Sequence, residues 1–296
     1  MAETKLILHA PLSLPHLAGR ALFAARQALR ELWRWLHAAV DREAPPVLHL
    51  FESPTRNLPL RMLLQRPGLI EDRLVRDRVW EQHIRELIAF HLPERGVFVD
   101  VGANIGYHAL YMARSFPSAS VLAFEPNPLV RQQLERNVQL SHGDNIQIFA
   151  CALGAAAGVT PFFAQGGNDY NRGRSSLQRN QDLGRAVGAI DVECHTLDEL
   201  IGDGHVDVLK LDTQGTELAV LAGARQTIAR CRPFIVLEFE AEYQADPQAA
   251  YRELTRELDG YSLWRIHQKR AEISRFDPRD LRGPRFKVDL LARPER

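Results

Sequence analysis

The stretch Asp100-Val101-Gly102-Ala103-Asn104-Ile105-Gly106 closes an apolar run with a carboxylate and sets two glycines four residues apart. Glycine at such a strand-to-helix turn lets backbone N–H groups approach a ligand, and the helix that follows presents its positive end there. A dinucleotide cradle needs G-x-G-x-x-G around the pyrophosphate. Asp100 stands at the first of those glycine positions, where its charge opposes a pyrophosphate and suits a ligand with an ammonium group. An ordinary glycine-containing turn without a ligand is the plain alternative.

S-adenosylmethionine carries such an amine, and the rest of its shape can be sought along the chain. Ligands of open α/β sheets lie beyond the carboxyl ends of the strands. Glu125, nineteen positions after Gly106, ends the next strand and can accept both ribose hydroxyls. Cys151-Ala152 ends the third, where backbone groups would read the adenine, with Asp144 as a lesser candidate. Asp212 ends the fourth strand, beside the expected methyl position. Lys210 lies two residues earlier on a buried strand, where an ammonium calls for a carboxylate partner. Glu217 is in helical register with Leu221, Ala224 and Ile228; it either serves the site or stabilises the first turn of its helix. Glu238 and Glu240 share one face of the fifth strand and could line a substrate mouth.

The elements that must position these groups alternate. Strands are expected at Val97–Val101, 120–125, 145–153, 206–212, Phe234–Glu240, Tyr261–His267 and 286–291, the last antiparallel. Helices are expected at 78–91, 105–115, after Pro126-Asn127-Pro128, from Leu197, at 216–230 and after Asp246-Pro247. This is an α/β pattern: a doubly wound, seven-stranded, mostly parallel sheet with helices on both faces. Residues 154–191 interrupt it with glycine, arginine and polar residues, and two short strands at 159–164 and 190–195. A loop this long in a compact domain is functional or disordered. Ahead of the sheet, residues 17–40 read as an amphipathic helix with Leu22, Leu29, Trp33 and Leu36 beside Arg26, Arg30 and Arg34. It could meet a membrane surface, a second copy or its own domain. Residues 41–67 read as a connection. Hence two regions are expected, an N-terminal helical extension over 1–75 and a catalytic domain over 76–296.

Composition removes several alternatives. The chain has 296 residues, with 37 basic against 37 acidic, so no global field draws it to nucleic acid. Its 3 cysteines are far apart and suggest neither a disulfide framework nor a zinc site. The N-terminus has no signal-peptide pattern, and no apolar run is long enough to span a bilayer. A cytoplasmic location, with a possible peripheral membrane contact, is the expectation.

From about residue 80 to residue 239 the sequence resembles the FkbM-type S-adenosylmethionine-dependent methyltransferases. The matching motifs are D-V-G-A-N-I-G-Y from Asp100, F-E-P-N from Phe124, A-L-G from Ala152, S-S-L from Ser175, T-L-D-E-L from Thr196, K-L-D-T-Q-G-T-E from Lys210, and L-E at Leu237 and Glu238. The resemblance implies a Rossmann-like methyltransferase fold, S-adenosylmethionine as donor, and O-methylation of a hydroxyl on a sugar, polysaccharide or secondary metabolite. It implies donor contacts from Asp100, Gly102, Asn104, Gly106, Glu125, Pro126, Asn127, Cys151, Ala152 and Asp212. Many relatives resemble D-x-E-G-x-E after the fourth strand, whereas this chain has Gln214 at the first glutamate.

The expected reaction is in-line displacement, a substrate oxygen attacking the sulfonium methyl. Positioning supplies most of the rate. Asp212 is the first candidate for a base, with Glu217 as the second family-type acid and His108 or His195 in reserve. Arg172, Arg174, Ser175, Ser176 and Glu238 are the candidate substrate residues, for a small-molecule or glycan acceptor. No metal is expected, although Asp212 and Glu238 could hold Mg²⁺ in a metal-assisted variant. Nucleic-acid methylation is disfavoured by the absence of D/N-P-P-Y and of a Pro-Cys nucleophile. A silent S-adenosylmethionine-binding or scaffolding protein and an NAD-dependent oxidoreductase remain as rivals.

Overall fold

A computed structural model describes residues 47–52, 59–65, 68–165, 177, 186–240, 243–244, 246–268, 272–281 and 286–295. All of them belong to one compact unit, Ala44–Arg296. The expected helix over residues 17–40 lies outside the described residues, as do Arg172, Arg174, Ser175 and Ser176.

Strands β3 (Val97–Val101), β4 (Ser120–Phe124), β5 (Ile146–Phe149), β9 (Val208–Leu211) and β10 (Phe234–Glu240) form the parallel part of the main sheet. On the far side of β10, β13 (Lys287–Pro294) pairs antiparallel with both β10 and β11 (Tyr261–His267), and β12 (Glu272–Arg275) closes the edge. The order is β12-β11-β13-β10-β9-β3-β4-β5. The sheet therefore has eight strands where seven were expected, because Glu272–Arg275, an exposed stretch without an apolar pattern, pairs along β11.

Side chains alternate between two apolar layers, as a pleated strand dictates. Phe98, Val208, Val236 and Leu291 face one layer, with the helices Gln82–His91, Tyr107–Ser115 and Pro128–Ser141. Val99, Leu209, Ile235, Leu237 and Leu290 face the other, with the helices Leu197–Ile201, Glu217–Ala222, Arg225–Cys231 and Pro247–Glu257. The single helix expected over 216–230 is thus two, parted at Gly223 and Ala224.

The expected strand over 145–153 also divides. Its end, β6 (Ala152–Leu153), leaves the main sheet and joins β7 (Gly158–Gln165) and β8 (Ala186–His195) in a small sheet ordered β6-β8-β7. Cys151 sits at that divergence, so the third strand end opens a gap between two sheets.

Within the stretch read as a connection lie two paired strands, β1 (Val47–Glu52) and β2 (Pro59–Leu64). Prolines at both ends hide their alternation in the sequence. On β2, Leu60, Met62 and Leu64 are buried in the first apolar layer. The helix Pro128–Ser141 satisfies the free edge of β2: Gln133 Nε2 donates to Leu63 O at 2.9 Å, Leu63 N–H donates to Asn137 Oδ1 at 2.6 Å, and Ser141 Oγ donates to Arg61 O at 2.6 Å. Polar groups at i, i+4 and i+8 of one helix act there as a neighbouring strand would, leaving no bare ladder.

Candidate active site

Alternation carries charge to one face at the carboxyl end of the sheet. Asp100 follows Phe98 by two residues, Lys210 follows Val208, and Glu238 follows Val236, so all three share the face of the first apolar layer. Asp100 and Lys210 are cross-strand neighbours. Lys210 Nζ donates to Asp100 Oδ1 at 3.2 Å and stands 3.6 Å from Asp212 Oδ2. Burial works against the Lys210 ammonium, but Asp100, Asp212 and Glu81 outweigh it and hold its pKa above the usual lysine range. Burial likewise opposes ionisation of Asp212; Lys210, Lys287 and a hydrogen bond from Gln214 reverse that and hold its carboxyl below the usual range.

Asp100 is wholly buried and lines neither of the two cavities described below. Its sequence-based role, direct pairing with a ligand ammonium, is filled in the structure by Lys210. Its second oxygen, Oδ2, is buried without a hydrogen-bond partner. Gly102 serves a close approach of backbone to backbone: at φ 77°, a Cβ there would sit 2.0 Å from the carbonyl oxygen of Asp212. The glycine thus brings the β3 turn against the β9 turn. Gly106 caps the helix Tyr107–Ser115.

Two cavities meet at this junction. The larger, of about 770 Å³, opens between β10, the helix starts at Gln82 and Tyr107, and the segment entering β13; its lining includes Trp80, Glu81, His83, His108, Lys210, Asp212, Gln214, Glu238, Gln268 and Lys287. The narrower one lies on the β4 side, lined by Phe124, Glu125, Pro126, Val130, Cys151, Ala152, Leu153, Phe162, Leu177 and Thr213. Gly102, Asn104 and Asp212 line both. They form a shared wall.

In the narrow pocket Glu125 accepts from the Asn104 N–H at 2.9 Å on Oε2 and from the Asn127 N–H at 2.9 Å on Oε1. Burial is the larger influence and pushes its carboxyl up to about 7 against those two donors. A carboxylate offers about four lone-pair sites, so acceptor capacity remains on each oxygen. Pro126 and the Cys151-Ala152 step line the slot. Asn127 lines neither cavity; its Oδ1 accepts from Leu129 N–H at 3.1 Å and caps the helix that begins at Pro128. Burial raises the Cys151 thiol to about 11, which keeps it neutral.

In the wide cleft His108 Nε2 lies 3.2 Å from Glu81 Oε2, and His108 Nδ1 is buried without a partner. Glu81 reaches that position at φ 42°, a left-handed conformation uncommon outside glycine. Across the cleft Lys287 contacts Glu238 and donates to Glu240 at 2.6 Å, the pairing that register dictates, since Glu240 faces Lys287 across β10 and β13. Burial, then Asp212 and Glu240, drive the Glu238 carboxyl upward. Gln268 donates to Asp289 at 3.0 Å, and His83 lies 3.3 Å from the same oxygen.

Glu217 is brought close to the site but not into it. Its carboxylate accepts from Thr213 N–H at 2.9 Å and from Gly215 N–H at 3.1 Å, and so fastens the turn that carries Asp212. The direct chemical role expected of Glu217 is corrected accordingly: it lines neither cavity. His195 pairs with Glu199 at 3.4 Å, and neither it nor exposed Asp144 lines either cavity.

Comparison with known proteins decides the family. The model described as "Methyltransferase FkbM domain" matches residues 100–263, more than half of the chain. The chain belongs to the FkbM methyltransferase family. It is 31% identical over 182 residues to methyltransferase sdnD of Sordaria araneosa, a match that covers 52% of this chain and 69% of that one. With the hexuronic acid methyltransferase AglP of Haloferax volcanii it shares 29% identity over 175 residues, covering 56% of this chain and 65% of the relative. With the 2-O-methyltransferase NoeI of Sinorhizobium fredii it shares 25% over 191 residues, covering 60% and 77%.

The motifs at Asp100, Phe124, Ala152 and Lys210 fall on the two turns of the shared wall and on the narrow pocket, whereas T-L-D-E-L lies on the helix Leu197–Ile201 away from both cavities. Most of the wide cleft lies outside the motifs. Trp80, Glu81, His83, Gln268, Phe286 and Lys287 line it without having been singled out from sequence. For Lys287 a signal existed: it is one of 4 lysines in a chain whose positive charge is otherwise arginine, and it opens a strand.

Proposed function

We propose that this FkbM methyltransferase takes its methyl group from S-adenosylmethionine, held in the narrow pocket, and places it on a hydroxyl of a sugar or related small molecule in the wide cleft. One observation carries this reading: two cavities of different chemistry share a wall, and an ionised carboxylate, Asp212, stands in it. The residues present suit the donor. Glu125 keeps acceptor capacity for ribose hydroxyls, and Val130, Leu153, Phe162 and Leu177 give the slot apolar walls for a flat base.

The donor, when bound, supplies a methyl group already activated on a sulfonium. What the chain adds is position and a place for one proton. Asp212, kept ionised by Lys210, accepts a hydrogen bond from the acceptor hydroxyl and orients its oxygen. As the methyl transfers, Asp212 takes the hydroxyl proton, a general-base contribution of about 10²- to 10⁴-fold, while His108 points Nε2 at Glu81 and shapes the cleft wall. Glu238, Glu240, Lys287 and Gln268 line the far side with groups that exchange hydrogen bonds with a polyhydroxylated acceptor.

The relatives support an oxygen acceptor: one carries the name 2-O-methyltransferase and another hexuronic acid methyltransferase. The test is transfer of a tritium-labelled methyl group from S-adenosylmethionine to a panel of glycans, uronic acids and hydroxylated metabolites. Label in an alkali-stable ether on one of them is the expected result; label confined to nitrogen, sulfur or nucleic acid refutes the reading.

A further inference from the structure

Gln214 stands where the resemblance leads one to expect an acid, and its side chain is held at both ends. Nε2 carries two protons: one is donated to Asp212 Oδ1 at 2.8 Å and the other to Glu238 Oε2 at 3.1 Å. Oε1 accepts from the Tyr243 hydroxyl at 3.2 Å. The reversed amide would set its oxygen against two carboxyl groups, so the network fixes the orientation.

The backbone is bent to this purpose. Gln214 is left-handed at φ 56°, and Gly215 follows at φ 105°. A Cβ on Gly215 would meet Tyr243 Cβ at 2.6 Å, so glycine lets the tyrosine lie directly on the turn. Non-glycine residues held in the left-handed region cluster at functional sites, where the surroundings over-determine them. Here the surroundings are Tyr243 on one side and Glu217, gripping Thr213 and Gly215, on the other.

Oxygens of two carboxyl groups that close on one point are usually reconciled by a cation, with ligand distances of about 2.0–2.6 Å. In this chain Lys210 and Lys287 stand at the outer oxygens, Asp212 Oδ2 and Glu238 Oε1, and a neutral amide nitrogen occupies the point between the inner two. Among the described residues no three of His, Cys, Asp and Glu converge in a metal-binding geometry. We propose that Gln214, locked by Tyr243, is a positioning residue that stands in for a bridging cation. It holds Asp212 and Glu238 as one unit across the acceptor cleft, and a carboxylate at position 214 would open a divalent-cation site there. The positioning role rests on the reading of the wide cleft as the acceptor site.

The first test uses Mn²⁺ alone, followed by electron paramagnetic resonance on the full chain. Wild type is expected to leave the ion free, Gln214→Glu to bind it at least about tenfold more tightly, and the addition of Asp212→Asn to remove the gain. Equal binding by wild type and Gln214→Glu, or a gain that survives Asp212→Asn, overturns the proposal. The second test uses Gln214→Met, which keeps the length, removes both donors and covers the case in which Gln214→Glu does not fold. Its affinity for S-adenosylmethionine should stay within about twofold of wild type while methyl transfer falls at least about tenfold, with Tyr243→Phe falling less in the same direction. Transfer by Gln214→Met at the wild-type rate overturns the positioning role. Calorimetry of the wild type with S-adenosylmethionine separates the two readings: absence of donor binding defeats the proposed function and leaves the manganese result to judge Gln214.

Discussion

The two sides of the wall at Gly102, Asn104 and Asp212 are assembled differently. On the narrow side the lining comes chiefly from strand ends and the turns that follow them: 101–104, 124–126, 151–153 and 212–216. Its polar contacts join those turns to themselves and to the adjacent one, as Glu125 does by accepting from the N–H of Asn127, 2 residues on, and of Asn104, 21 residues back. On the wide side Glu81 meets His108 from 27 residues away, and Lys287 meets Glu240 from 47. One side is written in contiguous motifs; the other exists once β13 has paired and the segment before Gln82 has folded over the sheet. A donor common to a family can be held by local turns, whereas an acceptor that varies must be met by parts that vary independently.

If that division holds, substitutions on the wide side change turnover without changing donor affinity. The largest effect is expected at Asp212, whose carboxylate takes the proton: Asp212→Asn should lower methyl transfer by about 10²- to 10⁴-fold while S-adenosylmethionine affinity falls far less. Single-turnover kinetics beside calorimetry would show it, and a parallel loss of donor affinity would erase the division. Gly102→Ala attacks the wall itself. Its Cβ would meet the Asp212 carbonyl at 2.0 Å, so both functions should fall together with about 1–3 kcal/mol of stability, read from denaturant midpoints.

A smaller effect concerns pH. Burial raises the Glu217 carboxyl from 4.5 to about 7, so the folded chain holds more protons than the unfolded one between those values. Stability from this group is therefore present on the acid side and lost as pH rises through about 7. Glu217→Gln should remove that slope, so denaturant unfolding at pH 5 and pH 8 should favour the variant increasingly at the higher pH; an unchanged difference would show that Glu217 is not shifted. Least affected should be Cys151→Ser. If backbone groups read the adenine, donor affinity should change by less than about threefold, because a neutral thiol and a hydroxyl are nearly the same size.

The legibility of the sequence follows the same division. Alternation of strand and helix exposed the parallel strands and the antiparallel β13, and the Asp100, Glu125 and Asp212 positions followed from where ligands sit in such sheets. Lys210 was expected to need a carboxylate and has Asp100. What stayed hidden depends on long-range pairing: β12 has no apolar pattern, β2 is completed by side chains of a helix, and the Glu240–Lys287 pair follows from antiparallel register. Gly102 shows a subtler gap. Its type announced a close approach, and the partner is the Asp212 carbonyl of another turn.

The most direct test of the account is calorimetry with S-adenosylmethionine on the wild type and Glu125→Ala, with NADH as the control. Expected are binding by the wild type, at least about thirtyfold weaker binding by Glu125→Ala as two ribose hydrogen bonds are lost, and no binding of NADH. Binding of NADH in place of S-adenosylmethionine, or equal affinity in the two proteins, would contradict it.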